Sequence, residues 1–218
     1  MTRRLGCLSA VVLLAGCAAS VQHTPLRTDR ADLSGRSLVV VAHEKPSFVA
    51  GSAAKGMFGG LGALAMISEG DEIVQANHVE DPAVEVGEQI ATVLAARYDV
   101  AVHHPVEMSD SDDVSSLTQR YAGNDLILFT RTRDWKFMYF PTDWDNYRVG
   151  LSLVVMLIDA GTGSTLAAAD CAYWPEYDDS DRAPIRDDLL ADNAAGLKAE
   201  LRKGADYCTQ KFLSETFV

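Results

Sequence analysis

"YRVGLSLVVMLIDAGTGSTLAAADCAYW", residues Tyr147–Trp174, carries the pattern that decides the fold. Tyr147, Val149, Leu151, Leu153, Val155 and Leu157 fall at every second position, so a strand places all six on one face. "AGTG" (160–163) supplies small turn-forming residues, and "STLAAADCAYW" returns as the partner strand of a hairpin. Such an apolar face needs a cover. Downstream, Leu190, Ala194, Leu197, Leu201, Ala205, Cys208 and Phe212 recur at spacings of three and four, which predicts a long C-terminal helix with one buried stripe.

Upstream of the hairpin, "DLILFT" (125–130) reads as a buried strand that runs on through "RTRDWKFMYF" as an exposed ribbon, with "TDWDN" as the turn. The aromatic group Trp135, Phe137, Tyr139, Phe140, Trp144 and Tyr147 has two open readings. It is either an exposed recognition surface or a face packed beneath the last helix. "SLVVVAHE" (37–44) is a continuous β-branched run, as expected of a central strand covered on both sides. In "DPAVEVGEQIATVLAARY" (81–98), Asp81 is a natural N-cap, Pro82 suits the first helical position, and Val86, Ile90, Val93 and Leu94 form the apolar stripe. "DVAVH" then predicts a short strand ended by Pro105, and "VEMSDSDDVSSLTQRYAG" a loop and a short helix stopped near Gly123.

The order is strand, glycine-rich segment, helix, strand, helix, three strands, helix. That order predicts an α+β fold: a single mixed β-sheet of about five strands with helices packed on it. Residues 36–218 are long enough for one domain with one core.

The N-terminus, "MTRRLGCLSAVVLLAGCAAS", has two arginines, a short apolar run and small residues, the layout of an export signal. The run is far short of the ~20 residues a spanning helix needs. Leu14-Ala15-Gly16-Cys17 resembles the lipobox of bacterial lipoproteins. The resemblance implies removal of residues 1–16, diacylglycerol on the Cys17 sulfur and a further acyl chain on its amino group. Several chains make a lasting anchor. Ala18 is not the Asp that resembles an inner-membrane retention signal, so the outer membrane, facing the periplasm, is expected. An ordinary secretory signal cut near Ala19 is the alternative. Residues 17–35 read as the lipidated Cys and a flexible tether.

Without Arg3 and Arg4 the chain keeps 17 basic and 31 acidic residues, a formal charge of −14 in place of −12. This argues against nucleic acid as partner and against a surface that hugs anionic lipid through Lys and Arg, and fits a solvated protein held at the membrane by its lipid alone. Of four cysteines, Cys7 leaves with the signal and Cys17 is acylated, so Cys171 and Cys208 remain. In an exported chain a disulfide is expected. Two separately buried thiols are the other reading.

"GSAAKGMFGGLGALAMISEG" (51–70) is apolar and glycine-rich in the middle of the chain. Its apolar part, Met57–Ile67, would span about 16 Å as a helix, half of a ~30 Å bilayer core. Three readings stand: a close-packed helix within the fold or between subunits, a loop dipping into the membrane, or a glycine loop lining a small-molecule cleft. Gly56, Met57, Phe58, Gly59, Gly60 and Gly62 are the candidate interaction residues, because small residues permit close approach.

The phrases "KPSFVAGSAAKGMFG" and "VEDPAVEVGEQIATVLAARY" resemble a family of uncharacterised bacterial lipoproteins. The element order and lipid tether are similar to periplasmic lipoproteins of the curli-secretion and penicillin-binding-protein-activator type. These resemblances imply no activity.

Catalytic patterns fail on inspection. "GTGST" sits in a hairpin turn and is no nucleophile elbow. "GSAAKG" lacks the G-K-[ST] ending of a phosphate loop, and the glycine spacing is wrong for a dinucleotide fingerprint. His103 and His104 would point to opposite faces of a strand, and with His43 read as surface or sheet-end histidines. "SDSDD" (109–113) and "EYDDSDR" (176–182) offer oxygen ligands but no EF-hand spacing, and read as solvated loops. No cofactor or metal is expected. The leading expectation is a membrane-anchored, non-catalytic binding or assembly module, with an unknown envelope protein or a second copy as partner. The alternative is a small-ligand-binding protein or enzyme whose site forms only in three dimensions.

Overall fold

The β-branched run of β1 (Ser37–His43) is buried from Leu38 to Ala42 because the strand lies inside the sheet and is covered on both faces. The computed structural model describes residues 21–27, 32–177 and 183–217. The export signal, Cys17 and positions 178–182 of the second acidic cluster lie outside these. β1 pairs in parallel with β3 (Ala101–Ser109) and with β4 (Leu126–Phe140). β4, β5 (Asp143–Asp159) and β6 (Thr165–Tyr173) follow as antiparallel neighbours. The order is β3-β1-β4-β5-β6, and the two-residue β2 (Val49–Ala50) pairs with β4 beyond the end of β1. The expected α+β architecture with one mixed sheet is what the chain forms.

Among the described residues five helices accompany the sheet: α1 (Ala53–Gly56), α2 (Gly59–Ala76), α3 (Pro82–Tyr98), α4 (Val114–Arg120) and α5 (Arg186–Glu215). α3 starts as read: the Ala83 amide donates to Asp81 Oδ1 at 2.9 Å, and Asp99 in the left-handed region ends the helix. Its Val86, Ile90 and Leu94 join the six alternating residues of β5 and the stripe Leu197, Leu201, Ala205, Cys208 and Phe212 of α5 in the main core. Cys171 of β6 and Cys208 of α5 form a disulfide across that layer, with Cα atoms 5.7 Å apart. Among the described residues α4 covers part of the other face, where Leu117 and Tyr121 meet Val39, Val41, Ile127, Phe129 and Ile158.

Four expectations need correction. β3 does not end at Pro105 but runs to Ser109. It is an edge strand with a register irregularity between the Val39 and Val41 pairs, where a missing N–H interrupts nothing essential. The ribbon after Thr130 is not exposed. The pairing steps from Thr132–Leu153 to Asp134–Ser152, so Arg133 is an inserted bulge residue and Trp135 returns to the helix-covered face. Phe48 meets Trp135 and Phe137 edge-on at 5.2 and 5.7 Å, and of the six aromatics Trp144 alone is exposed. The C-terminal helix is broken near its start, where Asp192, Asn193 and Ala194 have positive φ, and Leu189 takes the core place expected of Leu190.

The fourth concerns the tether. Thr24 exchanges two 2.8 Å backbone hydrogen bonds with Ala168 of β6, and the Leu26 amide donates to the Thr216 carbonyl at 2.7 Å. Leu26 and Leu33 are both buried in the main core. Part of the stretch 17–35 is therefore built into the domain, because its leucines satisfy apolar surface beside α5.

Candidate functional site

The glycine-rich segment is a helix for most of its length, and its two sides have different fates. On one side Gly62, Met66, Gly70, Ile73 and Val74 are buried. A Cβ on Gly62 would lie 1.8 Å from the Lys55 carbonyl oxygen, and one on Gly70 1.8 Å from that of Phe48. These glycines let α2 press onto backbone. Leu61 and Leu64 on its other side and Met57 and Phe58 just before it are 78%, 65%, 73% and 70% exposed. Leu61 and Leu64, three residues apart, share one face of α2, and Met57 and Phe58 stand exposed in the link that leads into it, so the four make one apolar ridge within eight residues. Gly59 enters the helix at φ +55, and neither it nor Gly60 has an atom within 4 Å of a would-be Cβ.

A helix that is apolar all round belongs inside a structure or against a partner. The N-terminal half of α2 has this composition with only one side covered. Polar groups hold it in place. Glu69 takes an ion pair from Lys55 of α1 and another from Arg186 at the start of α5, the latter at 2.5 Å. Asp71 accepts the Phe48 amide at 3.0 Å. The ridge is thus presented by a helix fixed at its C-terminal half.

The six residues singled out from sequence end in different places. Met57 and Phe58 stand on the ridge, Gly59 and Gly60 open beside it, and Gly56 is exposed with Tyr139 Oη 3.1 Å from a would-be Cβ. Gly62 packs inward. Leu61 and Leu64 were missed, although they follow Phe58 within six residues and complete the ridge.

A second feature is a groove of about 690 Å³ between α3 and α5, lined by His78, Asp81, Glu85, Glu88, Lys198 and Arg202. Asp81 is only 7% exposed. Its Oδ1 caps α3 and accepts from Thr132, while Oδ2 has no partner among the described residues. Burial holds this carboxyl above its ordinary range, opposed by the Thr132 and Ala83 hydrogen bonds and by the charges of Lys45 and His43. Arg202 pairs with Glu85 at 3.1 Å across the groove.

The remaining candidates have local roles. His103 and His104 are exposed on the edge strand. Asp110 pairs with Arg120, Asp112 with Arg131, and Asp113 caps α4 by accepting the Ser116 amide. Among the described residues no group of three His, Cys, Asp or Glu side chains is placed to hold a metal. No helix among them is long and apolar enough to cross a membrane.

No protein-family model matches the chain, and no curated protein matches it either. Solved structures are similar at low identity. The PelC dodecamer from Paraburkholderia phytofirmans is 12% identical, over 91% of this chain and 96% of that one, with a TM-score of 0.38. The LpoB C-terminal domain from Salmonella enterica is 12% identical, over 68% and 90%, at 0.30. Lipoprotein GNA1162 from Neisseria meningitidis is 14% identical, over 79% and 99%, at 0.26. Similarities of this size assign neither a family nor a function to the chain.

Proposed function

We propose that the chain is a lipid-anchored protein of the bacterial envelope that works as a non-catalytic docking and assembly module. Its contact surface is the ridge Met57, Phe58, Leu61 and Leu64. The lipobox-like Leu14–Cys17 supports the anchor, and the disulfide fits an oxidising compartment. The ridge carries the functional reading, because four large apolar side chains exposed within eight residues is more than the scattered exposure normal for a surface. Burying each is worth ~1.5–3 kcal/mol, enough together to offset much of the cost of association. The partner is a second copy or another envelope protein.

The test is the solution mass of the mature chain by light scattering, beside the variant Leu61→Ser/Leu64→Ser. An assembly that the variant turns into a folded monomer supports docking between copies. A monomer in both forms removes self-association and leaves a different envelope protein as the occupant. A ligand-binding reading has one observation in its favour, the unpartnered Oδ2 of Asp81 at the α3–α5 groove.

A further inference from the structure

The groove on the opposite face of the sheet has its own logic. It holds about 740 Å³ and is lined by Val21, His43, Lys45, Arg131, Arg133 and Met156, among others. Helices α2, α3 and α5 pack on the other face, and α4 covers only one end of this one. Val154, beside Val21, is buried here, and Met156 half-buried.

The chain is pinned at Thr24 by its two bonds to Ala168, and Val21 lies in this groove. Cys17 is only four positions before Val21. A chain extends at most ~3.6 Å per residue, so Cys17 lies within ~14 Å of Val21 whatever path it takes. The ridge is elsewhere. Tyr139, next to Gly56, is eight residues along β4 from Arg131, roughly 26 Å at ~3.3 Å per residue. It also lies on the helix-covered face. A leash of that length reaches the groove far more readily than the ridge.

Three cations line the groove in a mature chain of −14, with Glu44 and Asp112 beside them. Each has a partner of its own: Lys45 lies over the Trp135 ring, Arg131 pairs with Asp112, and Arg133 is also engaged. We propose that this groove is the seat of the domain on its own membrane. Lys45, Arg131 and Arg133 exchange their present partners for the phosphates of an anionic phospholipid leaflet, while Val21 and Met156 lie at its surface. The inference rests on lipidation of Cys17 and orients the ridge away from the membrane, toward a protein partner.

The test uses the mature chain beginning at Cys17, whose sulfur is the free one because Cys171 and Cys208 are bridged. It is coupled through Cys17 to a maleimide lipid in vesicles of phosphatidylcholine with phosphatidylglycerol, and side chains are oxidised by hydroxyl radicals. Oxidation of Met156 and His43 should fall several-fold against the uncoupled protein, with Met57 and Met108 unchanged. Vesicles of phosphatidylcholine alone, or the variant Arg131→Gln/Arg133→Gln, should lose that protection while circular dichroism shows the fold intact. Met156 as reactive on anionic vesicles as in solution overturns the inference and leaves the ridge reading standing. Protection of Met57 in its place overturns both. Protection that is equal on neutral vesicles overturns the phosphate contact. The mass of the chain isolated from cells reports lipidation separately.

Discussion

Gly60 and Gly70 sit on one helix and face opposite demands. A Cβ at Gly60 meets nothing, whereas one at Gly70 would collide with the Phe48 carbonyl oxygen. Gly60→Ala should stabilise the domain by up to ~1 kcal/mol through helix propensity. Gly70→Ala should destabilise it by about 1–3 kcal/mol, because backbone cannot move aside as a side chain can. Thermal unfolding reads both, at roughly 2–4 °C per kcal/mol for a chain of this size. Asp81 gives a pH prediction. Its folded pKa is raised, so its favourable contribution is complete below the ordinary carboxylate range and is lost as pH rises through the folded value. Asp81→Asn keeps an oxygen for the cap and should flatten that loss, so the variant gains on the wild type as pH rises. Asp81→Ala removes the same titration but also the cap, and should lie about 1 kcal/mol below Asp81→Asn at every pH. Urea titrations at stepped pH separate the two. Asp159 has the opposite sign: burial is outweighed by hydrogen bonds from Arg36 and Thr162, its pKa is lowered, and its contribution fades as pH falls.

At the scale of elements, the parts written in local periodicity were legible. The alternation from Tyr147 to Leu157, the cap and stripe of α3, and the Leu197–Phe212 stripe all describe what each element buries, which the chain states within a few residues. Cys171 and Cys208 were pairable because each fell on the covered side of its element. What the sequence hid depends on a neighbour. Whether a strand survives Pro105 depends on its being at an edge, and where Trp135 points depends on the bulge at Arg133. The break at Ala191–Ala194 lets Gly196 close onto the Asp188 carbonyl, a contact no periodicity announces. The ridge was half legible: Met57 and Phe58 stood out beside glycines, but exposure of Leu61 and Leu64 shows only once the other side of α2 is covered. The disulfide ties β6 to α5 across a separation of 37 residues. Reducing it should cost about 3–4 kcal/mol in the chain-entropy account, seen as a lower urea midpoint with dithiothreitol.

At the scale of the whole molecule, the sheet separates two surfaces. One face carries the helices and, at the far end of the β4–β5 hairpin, the apolar ridge; the other carries the basic groove within reach of Cys17. The layout fits the proposal of a protein held at a membrane by one side and offered to a partner from the other. An acidic surface keeps such a protein soluble and unbound elsewhere, so the ridge is the place where contact is favourable. The account stands on that contact. The most direct measurement replaces Leu61 with a photo-crosslinking benzoylphenylalanine in the full chain, irradiates intact cells and identifies what is joined to it. A discrete protein adduct, with a second copy or with one other envelope protein, is the predicted result. Adducts to lipid alone, or none while the protein is folded and at the envelope, would contradict it.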